Sequence, residues 1–348
     1  MNGTATSAPG DSLGDIPNET PVTRSAYPAR WTDYLRMARL DHMTKHVFIL
    51  PGLVLAWALR APPLQGAWMA ITLGLASAVL IASANYILNE WLDRHFDAHH
   101  PDKSRRPAVT TTLSPLPVWG SYLGCSLAGL ALALPVGPVF AATSALFWLS
   151  GVVYNVRPLR LKDQPYLDVL SESMNNPIRL MLGWSMIEQA TVAPASLLLA
   201  YWMGGAFLMG AKRLSEYREI AAGPGGVAVL HRYRRSFRHY TQERLLVSCF
   251  VYALLSTLLV GFFLVKYRIE YLVACPLVIA MFAHYLALSL RAGSVAQKPE
   301  KLFRETLLMA ITAATALALL ALSFVSIPRL QALAEPHFIM LDKPGKRP

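Results

Sequence analysis

Long apolar stretches recur along the chain from about residue 43 to residue 326, and short polar or basic loops separate them. Several stretches approach twenty residues without a charge, which is the length an α-helix needs to cross a hydrocarbon layer about 30 Å thick. The pattern predicts nine transmembrane helices, over residues 43–60, 67–89, 117–134, 136–154, 166–187, 192–211, 245–265, 271–290 and 304–326. We expect an all-α integral membrane protein whose helices surround a central cavity.

The two ends of the chain lack this apolar pattern. Residues 1–30 are rich in Pro, Ser, Thr, Gly and Asn, without the basic and then apolar segments of a signal peptide. Such a composition favours a solvated, disordered tail. Residues 331–348 are expected to form a short tail on the other side of the membrane. Residues 31–330 between them are expected to form one transmembrane domain.

Lys and Arg residues are unequally divided between the two sides of the predicted membrane. Of the 32, the N-terminal segment and the loops after predicted helices two, four, six and eight carry 24. The alternate loops and the C-terminus carry 7, and Arg179 lies within a helix. Because basic loops stay on the cytoplasmic side, we expect a cytoplasmic N-terminus. The asymmetry accounts for the net charge of +11 without a nucleic-acid partner.

Overall composition excludes a soluble globular protein. Charged residues make up 15% of the chain and apolar residues 54%, whereas soluble domains are about 25% charged. The three cysteines, Cys125, Cys249 and Cys275, lie inside apolar stretches and form no zinc-binding pattern. Any chemistry must therefore be sought in the polar residues next to the membrane.

The strongest chemical signal lies at the end of the second predicted helix. Asn85, Asn89, Asp93 and Asp97 recur every four residues and share one helical face, with Glu90 beside them. A solvated helix end would explain the two aspartates, but not two asparagines deeper in apolar sequence. Mg²⁺ binds few carboxylates together with substrate phosphates. We predict Asn89, Glu90, Asp93 and Asp97 as Mg²⁺ ligands and Asn85 as a substrate contact.

The loop that follows is strongly basic. Lys103, Arg105 and Arg106 place three cations within four residues. Alone, this would be an ordinary cytoplasmic loop. Close to the acidic helix face, these cations suit a phosphate that bridges metal and guanidinium, so we predict that they bind phosphate.

The fifth predicted helix is too polar to face lipid. Asp168, Glu172, Asn175, Asn176 and Arg179 form one stripe along it, and Tyr154 and Lys162 precede it. Ionisable groups at this depth are costly and are expected to face a wet cavity, although a structural ion pair between Glu172 and Arg179 is an alternative. We predict catalytic roles for Lys162, Asp168 and Glu172. We predict substrate contacts for Tyr154 and Arg179.

A fourth polar group follows the sixth predicted helix. Lys212, Glu216 and Glu219 share a helical face, Arg213 is adjacent, and the loop stays basic through Arg238. A positive-inside loop would explain the cations equally well. We predict that Lys212 and Arg213 bind phosphate and that Glu216 and Glu219 hold metal. All four polar groups belong to one predicted side of the membrane, which favours a single site.

At these residues the chain resembles the UbiA superfamily of intramembrane prenyltransferases. Asn89-Glu90-xx-Asp93-xxx-Asp97 is similar to the family's NDxxDxxxD motif, with Glu in place of the first Asp. The resemblance extends over residues 31–326. It implies a nine-helix bundle in which Asp93 and Asp97 are catalytic, Mg²⁺ is the cofactor, and pyrophosphate is expelled from a donor in the presence of a polyprenyl lipid.

The transferred group is open between two alternatives. The loop after helix six lacks the second DxxxD of aromatic prenyltransferases and carries eight cations, which is more similar to the decaprenyl-phosphate phosphoribosyltransferase branch. We therefore favour phosphoribosyl transfer from phosphoribosyl pyrophosphate to a polyprenyl phosphate. The alternative is prenyl transfer from a polyprenyl diphosphate to an aromatic or quinone-precursor acceptor. A transporter is a third alternative, but transporters place their charges near the midplane.

Overall fold

The structure is a computed structural model that describes residues 27–334 except 62–64, 101–102, 292, 295, 297–301 and 303. Its regular structure is helical apart from two short parallel strands, β1 (Tyr27–Pro28) and β2 (Thr111–Thr112). The predicted all-α class is therefore confirmed. The predicted tails, residues 1–30 and 331–348, lie mostly outside the described residues.

Fourteen α-helices occur in the described part of the chain, and several are joined by short 3₁₀ helices. They are α1 (Trp31–Met37), α2 (Leu50–Arg60), α3 (Ala67–Asp97), α4 (Pro107–Thr110), α5 (Pro115–Ala133), α6 (Pro138–Asn155), α7 (Leu167–Ser173), α8 (Asn175–Ile187), α9 (Ala195–Ala221), α10 (Gly226–Tyr233), α11 (Gln242–Tyr267), α12 (Cys275–Ser289), α13 (Thr306–Leu322) and α14 (Pro328–Ala334).

Four helical segments of the described chain are long and apolar enough to cross a membrane: Ala67–Asp97, Pro115–Val136, Gln242–Tyr267 and Ile269–Ser289. A fifth results if the bent pair Trp31–His42 and Thr44–Arg60 counts as one span. The nine spans predicted from the sequence are thus matched only in part. Of the other helices, α13 is apolar but shorter, with 17 residues, and α9 is long but carries charged residues that line the cavity described below.

The predicted fifth helix, residues 166–187, is broken into α7 and α8 around Met174. Pro177 lies in the first turn of α8 and has no N–H to donate to the carbonyl of Ser173, so a continuous helix would lose a hydrogen bond there. The second predicted helix is longer than expected. It continues to Asp97 as α3 and carries its polar face on a single rigid element.

The helices pack in two groups with the cavity between them. In one group α3 packs against α5, α6 and α8, and in the other α9 packs against α11 and α12. Buried apolar side chains such as Ile81 and Phe140 fill the first group, and Phe207 and Tyr285 belong to the second. Outward-facing leucines, among them Leu127 and Leu258, are more than half exposed, as is typical of a lipid-facing surface.

Glycines bring α2 and its preceding turn into direct contact with α8. A Cβ atom on Gly183 would lie 2.1 Å from the carbonyl oxygen of Ile49, and one on Gly52 would lie 1.9 Å from that of Leu180. Small residues allow such close backbone approach between membrane helices. The contact fixes α8, and with it the polar residues that α8 presents to the cavity.

We expect Gly183→Ala to lower the thermal stability of the purified protein, because the added methyl group overlaps backbone atoms that cannot move away independently. The cost of such overpacking is about 1–3 kcal/mol. Gly124→Ala in α5 is the matched control, since a Cβ at Gly124 meets nothing within 4 Å and alanine favours a helix by up to about 1 kcal/mol. Equal melting temperatures for the two variants would contradict the proposed contact.

Candidate active site

A cavity of about 1440 Å³ lies between the two helix groups. One part of its wall is apolar and aromatic, formed mainly by α9, α11, α12 and α13. The other part of the wall is polar and is formed by α3, α8, the beginning of the loop that follows α6, and the segment before α2. Apolar lining residues include Phe207, Val260, Phe282, Leu308 and Leu319. The cavity therefore joins a region suited to hydrocarbon with a region suited to charged groups.

The polar part of the wall carries an excess of positive charge. Among the described residues, twelve Lys and Arg side chains and seven Asp and Glu side chains line the cavity. Fifteen of the predicted site residues are among the lining residues: Asn85, Asn89, Glu90, Asp93, Asp97, Lys103, Arg105, Arg106, Tyr154, Lys162, Glu172, Arg179, Lys212, Arg213 and Glu216. Asp168 and Glu219 are not. A wall of this charge favours an anionic ligand.

Helix α3 presents its periodic polar face to the cavity. Asn85 Nδ2 donates to the carbonyl oxygen of Phe147 (2.9 Å), and Asn89 Nδ2 donates to Asp93 Oδ2 (3.3 Å). The Oδ1 atom of Asn85 is buried without a hydrogen-bond donor among the described residues. Gly151 makes room for this side chain, since a Cβ there would lie 2.1 Å from Asn85 Oδ1.

Asp93 accepts charge-assisted hydrogen bonds from the loop after α6. Lys162 Nζ lies 2.6 Å and Arg160 Nη2 lies 2.8 Å from Asp93 Oδ1. Asn155 Oδ1 ties the group together by accepting from both Lys162 Nζ (2.6 Å) and Asn89 Nδ2 (2.6 Å). Burial lowers the pKa of Lys162 to about 8, although the Asp93 carboxylate favours the charged amine. The Asp93 carboxylate therefore helps to keep the Lys162 amine charged.

The basic loop after α3 folds back onto the same helix face. Arg106 Nη1 donates to Asp97 Oδ2, and the backbone N–H of Ala108 donates to Glu90 Oε1 at 3.3 Å. Burial also lowers the pKa of Lys103 to about 8. Cations from two separate loops thus meet the carboxylates of α3.

Arg213 links α7 and α9 through three carboxylates. It is 2% exposed, and its guanidinium lies 2.7 Å from Glu172 Oε2, 3.1 Å from Glu216 Oε2 and 3.3 Å from Asp168 Oδ2. The other oxygen of Glu216 lies 3.3 Å from His100 Nε2. Because all three carboxylates share one cation, this group holds two helices and the loop after α3 in a fixed arrangement.

Asp168 was predicted as a catalytic residue, but it faces the protein interior and does not line the cavity. It is 0% exposed and accepts hydrogen bonds from Tyr240 Oη (2.6 Å) and Ser236 Oγ (3.1 Å), in addition to its contact with Arg213. The break between α7 and α8 separates Asp168 and Glu172 on α7 from Asn175, Asn176 and Arg179 on α8. Its contacts anchor the segment Arg235–His239 to α7.

The alternative ion pair between Glu172 and Arg179 is not formed. Glu172 instead contacts Arg213 and accepts from Tyr154 Oη at 3.1 Å. Arg179 lies at the cavity wall, with its guanidinium 5.0 Å from the Phe147 ring centroid. Glu219, predicted as a metal ligand, is exposed and lies one turn beyond Glu216 on α9. The structure therefore does not bring Glu216 and Glu219 together at the cavity.

Several lining residues were not singled out from the sequence. Asn155 and Arg160 flank predicted residues, and their position in the same polar loop was the available signal. Arg234 donates to Tyr154 Oη at 2.9 Å, and only the general basic character of its loop pointed to it. Arg39 and Lys45 precede α2 and line the cavity. No motif marked them, because they looked like ordinary positive-inside residues.

A metal cage built from protein ligands alone does not occur in the described part of the chain. No three His, Cys, Asp or Glu side chains there are close enough to hold an ion. Mg²⁺ does not require such a cage, because it takes one or two carboxylates and completes its shell with substrate oxygens and water. The unpartnered Oδ1 of Asn85 and the neighbouring carboxylates of α3 fit that kind of site.

Both the sequence and the helical architecture of this chain are similar to those of known proteins. Residues 47–311 match the sequence profile of the UbiA prenyltransferase family. The chain belongs to this family. The resemblance indicated by the motif on α3 is therefore confirmed, and the chain is an integral membrane protein of this family.

Two curated relatives illustrate the range within the UbiA family. The protoheme IX farnesyltransferase of Alkalilimnicola ehrlichii is 31% identical over 48% of this chain and 54% of its own length. The 4-hydroxybenzoate octaprenyltransferase of Cupriavidus metallidurans is 30% identical over 33% of this chain and 39% of its own. The chain thus spans about half or less of the length of these relatives.

Solved structures share the fold over a longer stretch. A UbiA homolog from Archaeoglobus fulgidus, bound to GPP and Mg²⁺, superimposes with a TM-score of 0.62 at 23% identity. The match covers 86% of this chain and 99% of the homolog. At this level of identity the comparison establishes the helical architecture of the UbiA fold for this chain.

We expect Arg213→Met to destabilise the folded protein strongly, because Asp168, Glu172 and Glu216 would lose their shared cation. Removing one partner from a buried ion pair typically costs about 3–5 kcal/mol. Arg218→Met on the same helix is the control, since Arg218 forms no ion pair with the described residues. The measurement is thermal unfolding in detergent, and similar losses for both variants would contradict the role of Arg213.

Proposed function

We propose that the chain is a Mg²⁺-dependent prenyltransferase that moves a polyprenyl group from its diphosphate to an acceptor within the membrane. The observation that carries the proposal is the cavity, in which the α3 carboxylates and surrounding cations adjoin an apolar region. Farnesyl- and octaprenyltransferases among the relatives, and a homolog solved with GPP and Mg²⁺, support the same reaction class.

Asn89, Asp93 and Asp97 are the proposed Mg²⁺ ligands on α3, with Glu90 and Asn85 next to them. These side chains share the cavity-facing side of one helix, so their relative positions are set by helical geometry. When bound, Mg²⁺ would supply positive charge that stabilises the leaving diphosphate. Glu216 is a candidate for a second ion, whereas the exposed position of Glu219 argues against it.

The diphosphate of the donor is expected to lie between two sets of cations. Arg105 and Arg106 approach from the loop after α3, and Arg160 and Lys162 approach from the loop after α6. Charge-assisted hydrogen bonds from these groups would stabilise the negative charge that grows on the departing oxygen. Tyr154 and Lys103 complete this wall, and Glu172 orients Tyr154 by accepting a hydrogen bond from its hydroxyl group.

The prenyl chain is expected to occupy the apolar part of the cavity. Phe207 and Phe282 pack edge to face there with ring centroids 4.8 Å apart, and Leu308 and Leu319 extend the wall along α13. Aromatic faces beside the reacting carbon would favour the positive charge that develops as the carbon–oxygen bond breaks. The apolar wall would also keep water away from that carbon.

Phosphoribosyl transfer was the preferred prediction from the sequence, and the relatives favour prenyl transfer instead. It stays as a second candidate for one reason. The cavity wall carries five more cations than carboxylates among the described residues, which exceeds the needs of one magnesium-bound diphosphate and suits a second phosphate-bearing substrate.

The charge asymmetry of the loops leads us to propose a cytoplasmic N-terminus and an external C-terminus. The loops after α3, α6 and α9, which carry the catalytic cations, would then lie on the cytoplasmic side. Water-soluble pyrophosphate would be released on that side, while the lipid product stays in the membrane.

We expect Asp93→Asn and Asp97→Asn each to reduce turnover at least 100-fold while the protein stays folded, because each change removes a charged Mg²⁺ ligand. The measurement is initial rate against Mg²⁺ concentration, combined with thermal unfolding. Glu243→Gln, at an exposed position on α11, is the control and should behave like wild type. Full activity of either aspartate variant, or of wild type in excess chelator, would refute the metal assignment.

The donor is identified by product analysis. Membranes containing the protein are incubated with Mg²⁺ and either a labelled polyprenyl diphosphate or labelled phosphoribosyl pyrophosphate, and lipid-soluble products are separated. We expect label from the prenyl diphosphate to enter a new lipid product in wild type but not in Asp93→Asn. Transfer only from phosphoribosyl pyrophosphate would replace the main proposal by the second candidate.

A further inference from the structure

Glu90 lies in the acidic motif of α3, but it is held differently from the other acidic residues of that motif. It is 2% exposed, and its Oε1 atom accepts a hydrogen bond from the backbone N–H of Ala108 at 3.3 Å. Glu90, Asp93 and Asp97 do not form a group that could hold a metal ion by themselves, and no such group of three occurs in the described part of the chain. The carboxylate of Glu90 is instead engaged with the chain that returns after α3.

Ala108 belongs to the short helix α4, which begins directly after Arg106. The carbonyl oxygen of Arg106 accepts from the backbone N–H groups of Val109 (2.9 Å) and Thr110 (3.0 Å), and also from the Thr110 hydroxyl group (3.1 Å). The backbone of Arg106 is therefore fixed to the same helical turn that Glu90 holds.

This stretch of chain is attached to α3 at a second point. The Arg106 guanidinium contacts Asp97, which lies seven residues after Glu90 on α3. Seven residues are about two helical turns, so Glu90 and Asp97 lie on one side of α3 and about 10 Å apart. Arg106 and Arg39 also interact electrostatically with Glu90. The two attachments together set the position and the direction of Arg106 at the cavity wall.

The length of the Glu90 side chain decides whether its contact with Ala108 can form. A glutamate carries its carboxylate one carbon–carbon bond, about 1.5 Å, further from the backbone than an aspartate does. The oxygen–nitrogen distance of 3.3 Å is already near the upper limit for a hydrogen bond. An aspartate at this position would therefore leave the Ala108 N–H without its acceptor.

We propose that Glu90 is a positioning residue, which holds the Ala108 backbone and thereby aims the Arg106 guanidinium at the diphosphate of the donor. This inference rests on the proposed transferase function, in which Arg106 binds diphosphate, and it assigns Glu90 to that cation instead of to Mg²⁺. The length of the side chain matters more for this task than its charge, because a neutral amide oxygen also accepts a hydrogen bond from an N–H group.

Two substitutions separate the length of the Glu90 side chain from its charge. Glu90→Asp keeps the charge and shortens the side chain, whereas Glu90→Gln keeps the length and removes the charge. The binding of inorganic pyrophosphate with Mg²⁺ is measured on the full-length protein in nanodiscs of zwitterionic lipid. We expect Glu90→Asp to raise the Kd of pyrophosphate at least fivefold and Glu90→Gln to raise it less than twofold. Glu243→Asp, at an exposed position of α11, is the control and should bind like wild type.

A double-mutant cycle with Arg106 tests whether Glu90 acts through this cation. In an Arg106→Gln background, Glu90→Asp should change the Kd of pyrophosphate less than twofold, because the cation that Glu90 positions is gone. In an Arg160→Gln background the fivefold effect should remain, since Arg160 belongs to the loop after α6. A general loss of structure would instead lower the affinity in both backgrounds.

Amide hydrogen exchange tests the contact between Glu90 and Ala108 without any ligand. The peptide that contains Ala108, Val109 and Thr110 should exchange faster in Glu90→Asp than in wild type, because a local hydrogen bond that protects it is lost. In Glu90→Gln the same peptide should exchange at the wild-type rate.

The proposal is overturned if Glu90→Gln weakens pyrophosphate binding as much as Glu90→Asp does, or more, because Glu90 would then act through its charge or as a metal ligand. A wild-type Kd in Glu90→Asp would also overturn it, as would a fivefold effect that persists in the Arg106→Gln background. Failure of the proposed function has a different signature. Wild type would then not bind pyrophosphate with Mg²⁺, whereas the faster exchange at Ala108 in Glu90→Asp would persist.

Discussion

Charge can be kept inside this membrane protein because carboxylates and cations of its cavity wall are brought into contact by separate helices. Arg213 holds Asp168, Glu172 and Glu216, while Asp93 holds Lys162 and Arg160. All of these contacts except Arg213–Glu216, which lies within α9, join different elements, so the charges also hold those elements together. In hydrocarbon surroundings a lone charge would cost several kcal/mol, and the helices are therefore held in the arrangement that satisfies these pairs.

Close backbone packing provides the space in which these pairs form. Gly151 leaves room for the Asn85 amide, and a Cβ on Gly205 would lie 2.1 Å from Asn176 Nδ2. Gly183 lets α8 approach the segment before α2. Small residues on one helix thus determine where polar side chains of the next helix can lie.

The sequence was sufficient to predict the all-α class, the membrane environment and the polar face of α3, because spacing along a helix decides which residues share a side. The sequence was insufficient where the position of a side chain depends on packing between segments that are distant along the chain. Asp168 is turned inward by Tyr240 and Ser236, which lie about seventy residues further along the chain. Glu172 pairs with Arg213 rather than Arg179 for the same reason. Arg39 and Lys45 could be recognised as cavity residues only from the fold, which brings both of them to the ring of Tyr86.

The pairing of Asp93 with Lys162 and Arg160 has a thermodynamic consequence. A cation bound to the Asp93 carboxylate competes for its negative charge with the two basic side chains, which are then held less strongly and can bind an anion. An anion that draws Lys162 and Arg160 away leaves Asp93 free for a cation. By linkage, a metal ion and a diphosphate each raise the affinity of this site for the other by the same factor, so the two ligands should bind with positive cooperativity.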